Sequence, residues 1–458
     1  MIFSDSFFIF IFIPLFLLIF YSHQKIQKIS IILFSFLFYY AFNPQVLGFF
    51  LIPFILLNFV FYRFNIEKAS IIIFNLFFLI FFKYQTIFFD LSPGKLFLFG
   101  SYTAPMGISF ITFQLISFIV DNKKSDSKIS VLDFFNYFTF FPQMIAGPIC
   151  RKADLLHQIT SIGKSYNFSS SNFLKGSLIF TIGAIKKVVI ADNIAKYIDP
   201  FFSNPASSNI SAWVSTLGYY LQIYFDFSAY ADMAIGLALL INIKLPENFL
   251  DPLKSQSITE FWRRWHVTLY IFFKEYVYKP FLRSNILNSL NIETKKSLGM
   301  ILIFITSGAW HGNGLNFLTW GAMHAIYILI GKFNIIKVQN KIFNRINIFI
   351  LCYLSFIPFR CINFQDTTTV TKLLLDLESI TKISADLNFF FFLCGLVIYK
   401  IIFPYSRDYL KKLITFVEKD QKLFHVFYFS TLALLPAIYL LLFYIAAGSQ
   451  KPFIYFAF

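Results

Sequence analysis

Three histidines in this chain sit where an ionisable ring needs a reason: His266, His311 and His324 fall within about sixty residues of one another, where the hydrophobic pattern is most broken. A titratable group at membrane depth is a functional candidate because its charged form is so costly there. His324 lies in Thr319-Trp320-Gly321-Ala322-Met323-His324-Ala325, midway along the apolar run 315–330. Either it bridges two helices as a neutral imidazole, or it is a general base that takes the proton of an attacking hydroxyl. His311 occupies Gly308-Ala309-Trp310-His311-Gly312-Asn313-Gly314, whose glycines permit a tight turn. It reads as a residue capping a helix end, as one positioning the reacting groups, or as one in direct catalysis.

His266 closes Glu260-Phe261-Trp262-Arg263-Arg264-Trp265-His266, in which Arg263 and His266 are expected one helical turn apart. Two arginines beside two tryptophans read as an anchor at the lipid headgroups or as cations neutralising Asp226 and Asp232. They equally suit a grip on the phosphates of a nucleotide-bearing acyl donor. Asp226 and Asp232 themselves are six residues apart, which is roughly 240° around a helix. They do not share a face, so separate ion pairs are expected and an acid–base dyad is not. His23, His157 and His425 lie in or beside polar stretches, where exposure explains them. Cys150, Cys352, Cys361 and Cys394 show no CxxC and no histidine at metal-ligand spacing, so inert packing and no metal site are expected.

The elements that must position these groups are set by composition. Of 458 residues 57% are hydrophobic and 14% charged, with a mean hydropathy of +0.67, too apolar for an ordinary soluble core. Apolar runs near 7–21, 29–62, 70–89, 96–120, 134–149, 173–198, 212–242, 297–309, 315–331, 346–359, 388–404 and 424–447 predict an all-α polytopic protein of roughly ten to twelve transmembrane or re-entrant helices. No repeat, linker or soluble stretch interrupts them, and a single membrane domain over 1–458 is expected. The run from Phe7 to Phe20 lacks a basic flank before it and a cleavage site after it, and reads as a retained helix.

A formal charge of +16 would suggest nucleic acid in a soluble chain, but here the basic residues sit between apolar runs, as in cytoplasmic membrane loops. The partner they imply is the bilayer, and no nucleic acid. Their distribution predicts loops 332–345 and 405–423 on the cytoplasmic side, with 361–387 and both termini opposite. Pro142, Gly147 and Pro148 break the run 134–149, and the charged cluster 262–266 breaks the region after Pro252. Irregular backbone at membrane depth survives only against protein or water, so both segments are expected to line a cavity.

The motifs resemble, in order, the membrane-bound O-acyltransferases, and in particular the bacterial alginate O-acetyltransferase branch and its relative that exports D-alanine. They are Pro105-Met106-Gly107-Ile108-Ser109-Phe110, Phe141 to Ile149, Phe225-Asp226-Phe227-Ser228 through Asp232 to Gly236, Pro246-Glu247-Asn248-Phe249 and Ser257 to His266. Trp310-His311-Gly312, Trp320-Gly321, Phe359-Arg360 and Phe453-Ile454-Tyr455-Phe456 follow. The resemblance runs from about residue 40 to the end.

It implies a ring of tilted helices around a thinned centre with a tunnel through it. It also implies His324 as the catalytic histidine, His266 as the second histidine of the core, and His311 as a supporting neighbour together with Trp310 and Asn313. The donor would be acetyl-CoA or another acyl thioester held near Arg263 and Arg264, with no bound cofactor. A periplasmic or membrane-anchored transfer protein would complete O-acetylation of an exported polysaccharide such as alginate, at the bacterial inner membrane. Lys274-Glu275-Tyr276 and Phe281-Leu282-Arg283-Ser284-Asn285 depart from the family's Arg-Asp pair and Gly-Gly-Asn turn, and Ala325 replaces a common glycine. A transporter or lipid-linked sugar flippase would also use broken helices and buried charge, and an O-acyltransferase for long lipid chains would share the histidine.

Overall fold

The computed structural model describes residues 2–89, 105–123, 127–164, 168–332, 340–376, 381–383, 387–402, 406–446 and 451–454. Within them the regular elements are helical, as lipid demands of a chain that must satisfy its own backbone. The pairing of Phe249 with Trp265 is an isolated bridge.

At the centre stands Ala212–Leu240, a 29-residue helix whose most apolar stretch is 94% buried inside the protein. It packs along Ser170–Ile185 through small residues. A Cβ on Gly176 would meet the Gly236 carbonyl at 2.7 Å, and one on Gly183 would meet the Ala229 carbonyl at 2.8 Å. Without a hydrophobic force between helices in lipid, close backbone approach of this kind is what holds them together. Ser170–Ile185 runs into a π-helical turn, Lys186–Ala191, and then Asp192–Ser203. The turn aims Lys186 at Asp232 (2.6 Å) and Lys187 at Asp226 (2.7 Å) and Asp192 (2.7 Å). The two acids therefore do stand in separate ion pairs, with lysines as partners and not Arg263 or Arg264.

The run 134–149 is broken, as expected of a re-entrant segment. Val131–Thr139 ends at Phe140, a short turn Phe141–Met144 follows, and every residue from 136 to 150 is buried. Its freed backbone groups are met by side chains: Phe141 N–H donates to Ser35 Oγ (3.1 Å), Ile149 N–H to Thr268 Oγ1 (3.0 Å), and Tyr137 O–H to the Cys150 carbonyl (2.7 Å). Gly107, with φ of 76°, lies against this segment so closely that a Cβ would reach the Met144 carbonyl at 2.5 Å.

Ile292–His311 and Leu315–Lys332 form an antiparallel hairpin around Gly312-Asn313-Gly314. Gly308 and Gly321 let the pair touch backbone to backbone. Glu293 and Lys332 close the far end at 3.0 Å. The C-terminal half of Lys341–Arg360 packs into this core through Cys352, Tyr353, Phe356 and Phe359, whereas Gln421–Ala446 is mostly exposed at the protein surface.

Three described helices, Ala212–Leu240, Lys341–Arg360 and Gln421–Ala446, are long and apolar enough to cross a bilayer. Lys68–Phe89 (22 residues), Ile292–His311 (20 residues) and Leu315–Lys332 (18 residues) are of similar length, and the remaining described helices are shorter. Ile108–Asp121, with 14 residues, is about 21 Å long, against a hydrocarbon core of about 30 Å. Residues 108–119 of this helix are buried within the protein. The apolar run 29–62 is two helical stretches, Gln27–Tyr40 and a second that starts at Pro44 and runs through the π-helical turn Leu47–Leu51 into Ile52–Arg63, because the chain turns just before Pro44. Helices also occupy two stretches read as loops, Phe364–Leu375 and Ser406–Val417; their alternating polar residues conceal an amphipathic period.

Ion pairs sort the helix ends into two sets. Glu418 joins Lys175 (3.1 Å), near the start of Ser170–Ile185. Asp199, near the end of Asp192–Ser203, joins Arg360 (3.1 Å) and Lys451. Of the segments whose basic residues predict sidedness, residues 333–339, 377–380, 384–386, 403–405, 447–450 and 455–458 lie outside the described residues.

Candidate active site

Ser257 caps Ile258–Arg264 by accepting from Glu260 N–H (3.1 Å), and Glu260 in return accepts from Gln256 N–H (2.8 Å). The helix then stops. Trp265 is extended and His266 adopts φ 45°, ψ 53° in the left-handed region. Arg263 and His266 therefore do not share a helical turn, contrary to the spacing argument. A left-handed non-glycine residue costs about 1–3 kcal/mol, and it is held there by Asn248. The Asn248 side-chain oxygen lies 3.2 Å from His266 Nδ1 and accepts from Thr268 N–H (3.1 Å) and Thr268 O–H (2.9 Å). The Asn248 carbonyl accepts from Val267 N–H (3.0 Å).

The two arginines part company. Arg264 pairs with Glu260 (2.9 Å) and donates to the Leu250 carbonyl (3.0 Å), which ties the helix end to the preceding loop. Arg263 is exposed.

His324 is fully buried, ringed by Trp262 and Trp320 (centroids at 4.9 Å each), Tyr327 (5.8 Å) and Phe304 (5.9 Å). Its Nε2 lies 2.9 Å from Ser355 Oγ on Lys341–Arg360. The Ser355 hydroxyl hydrogen already goes to the Cys352 carbonyl (2.7 Å). The imidazole is therefore the donor, and Nδ1 has no hydrogen-bond partner among the described residues. This is the helix-bridging arrangement, the alternative raised for His324 from its surroundings.

His311 ends its helix and faces a cavity of about 870 Å³. Trp310, Asn313, Phe110, Lys83, Gln222 and Arg360 share that wall. A second, apolar cavity of about 190 Å³ is bounded by Trp262, Phe304, Ser307 and Ile328. His324 lines neither cavity, and nor does His266. Trp320 stands between His311 and His324, with centroids 5.0 Å from the first and 4.9 Å from the second. On the other flank Phe110 lies 6.3 Å from His266 and 5.8 Å from Trp310. Thus the structure gathers all three histidines around one aromatic cluster but presents only His311 to the open space.

Sequence reasoning missed Lys83, Lys187 and Asn248. Lys83 and Lys187 are cations inside apolar runs, a signal as strong as that of the histidines, but lysines look like loop residues when counted by the positive-inside rule. Asn248 was visible only as part of a motif.

The fold is a helical membrane bundle with a histidine on the wall of a large cavity and an aromatic cluster behind it. The chain belongs to the membrane-bound O-acyltransferase family, whose profile matches residues 31–364. It is 36% identical over 316 residues to a peptidoglycan O-acetyltransferase of Helicobacter pylori, covering 60% of this chain and 58% of that one. It is 32% identical over 373 residues to a probable alginate O-acetylase of Pseudomonas fluorescens, covering 80% and 74%. To a teichoic acid D-alanyltransferase of Bacillus subtilis it is 28% identical over 247 residues, covering 52% and 60%. The chain therefore spans less than two thirds of the Helicobacter and Bacillus proteins. The family and branch are those the motifs resembled.

Proposed function

We propose that this protein moves an acetyl group from a cytoplasmic thioester, acetyl-CoA or another acyl carrier, across the bacterial inner membrane for O-acetylation of an exported polysaccharide such as alginate. The observation that carries the reading is His311, the histidine that faces the large cavity. There it takes the proton of an acceptor hydroxyl as the oxygen attacks the thioester carbonyl. His324 and His266 support it from behind, through Trp320 and Phe110. Relatives that acetylate peptidoglycan and alginate support a polysaccharide as the final acceptor, reached through a periplasmic or membrane-anchored transfer protein.

Exposed Arg263 suits the donor's phosphates, while Arg264 holds the loop in shape. Inverted membrane vesicles supplied with labelled acetyl-CoA test the reading: release of CoA thiol and label in an acceptor are expected. Ion-coupled sugar uptake without acyl turnover would instead identify a transporter, and a preference for long-chain acyl-CoA would move the donor to lipid.

A further inference from the structure

The wall of the large cavity carries four described lysine and arginine side chains, and three of them are matched by acids. Lys187 pairs with Asp192 and Asp226, and Arg360 and Lys451 pair with Asp199. Lys83 has no carboxylate partner among the described residues. Its ammonium donates instead to the Trp310 carbonyl and lies 5.1 Å from the Trp310 ring. The neighbouring Tyr84 O–H donates to the Ala309 carbonyl (2.5 Å). Two consecutive residues of Lys68–Phe89 thus grip two consecutive carbonyls in the last turn of the helix that ends in His311.

Last-turn carbonyls lack partners within their own helix and make that end electrically negative. A reaction next to His311 that builds negative charge would be opposed by this field. The cation that reverses it is Lys83, and one hydrogen bond to Trp310 leaves two of its three donors for the cavity.

We propose that Lys83 is the cation that stabilises the oxyanion of acyl transfer, an assignment that rests on the His311 reading above. The acceptor hydroxyl gives its proton to His311 while its oxygen bonds to the thioester carbonyl carbon. The carbonyl oxygen takes the negative charge beside the Lys83 ammonium. Collapse re-forms the C=O bond and breaks the C–S bond, and the departing thiolate takes the proton back from His311.

The test compares Lys83→Gln, which keeps an N–H to cap Trp310 but carries no charge, with Lys83→Arg, which keeps the charge. The full chain is assayed in inverted membrane vesicles with acetyl-CoA, beside His311→Ala. Loss of one such electrostatic stabiliser costs about a hundred- to a thousand-fold in kcat. That loss is expected for Lys83→Gln, with donor KM within about threefold and an unchanged melting temperature, whereas Lys83→Arg should stay within about tenfold of the parent. A Gln variant that turns over at the parental rate, or Gln and Arg variants that lose activity in step with their melting temperatures, overturns the proposal and leaves Lys83 a helix cap. If His311→Ala retains full turnover, the reading on which it rests has failed instead.

Discussion

Nε2 of His324 lies 2.9 Å from Ser355 Oγ, a hydroxyl whose own proton is committed to the Cys352 carbonyl, so the histidine acts as donor across two helices. The histidine that faces the cavity, His311, ends the preceding helix and is separated from His324 by the tight turn Gly312-Asn313-Gly314 in sequence and by the single ring of Trp320 in space. Their variants should therefore differ in kind. His311→Ala is expected to lose about a hundred- to ten-thousand-fold in turnover, the usual cost of removing a general base, with its melting temperature close to that of the parent. His324→Gln and Ser355→Ala should each be destabilised by roughly 1 kcal/mol and keep most of their turnover. Thermal unfolding in detergent and acyl release at saturating donor read both effects. A stable but inactive His324→Gln beside an active His311→Ala would return the base to His324.

Arg263 and Arg264 are adjacent but differently engaged, and their Gln variants should separate. Arg263→Gln is expected to raise the donor KM with little change in stability. Arg264→Gln breaks the half-exposed pair with Glu260 and the bond to the Leu250 carbonyl, so a loss of about 1 kcal/mol in stability is expected. Steady-state kinetics over donor concentration, with melting curves for each protein, check the division.

Lys187 is 1% exposed and stands between Asp226 and Asp192. Lys187→Met leaves two buried carboxylates with one cation fewer, and breaking such a pair costs about 3–5 kcal/mol. Asp226→Asn should be milder than Lys187→Met, because the amide oxygen still accepts a hydrogen bond and no charge is stranded on that side. Equal melting temperatures for the two variants would show that the network is not held by Lys187.

Sidedness can be read by labelling. With Cys394 replaced, a cysteine at the exposed position Asn340 should be protected from a membrane-impermeant maleimide in intact cells, and one at exposed Thr368 should react. The reverse pattern would invert the whole orientation.

Much of this architecture was legible in the residues. The apolar runs marked the helices, and Pro142 and Gly147 marked the re-entrant break. The six-residue spacing correctly separated Asp226 from Asp232. Their partners were not legible, because they lie 39 and 46 residues upstream on a π-helical turn that no period of 3.6 reveals. The turn at His266 was hidden too, since an α-helix continued through Trp265 is the default for such a sequence, and only the bonds to Asn248 overrule it. His311 and His324 sit in equally apolar text. Which of them faces a cavity depends on how the hairpin rotates around Gly308 and Gly321, a packing fact with no local signature.

The ring of Trp320 touches Trp262 on the side of the small cavity (5.7 Å) and Phe359 on the side of the large one (5.4 Å), while lining neither space itself. A membrane under tension of about 100 mV delivers roughly 2.3 kcal/mol to each elementary charge that crosses it, and any continuous file of water through this protein would be a short circuit for the cell. Trp320, fully buried between the two spaces, separates them with packed rings, so a hydrated ion passing from one cavity to the other would have to displace the indole from Trp262 and Phe359.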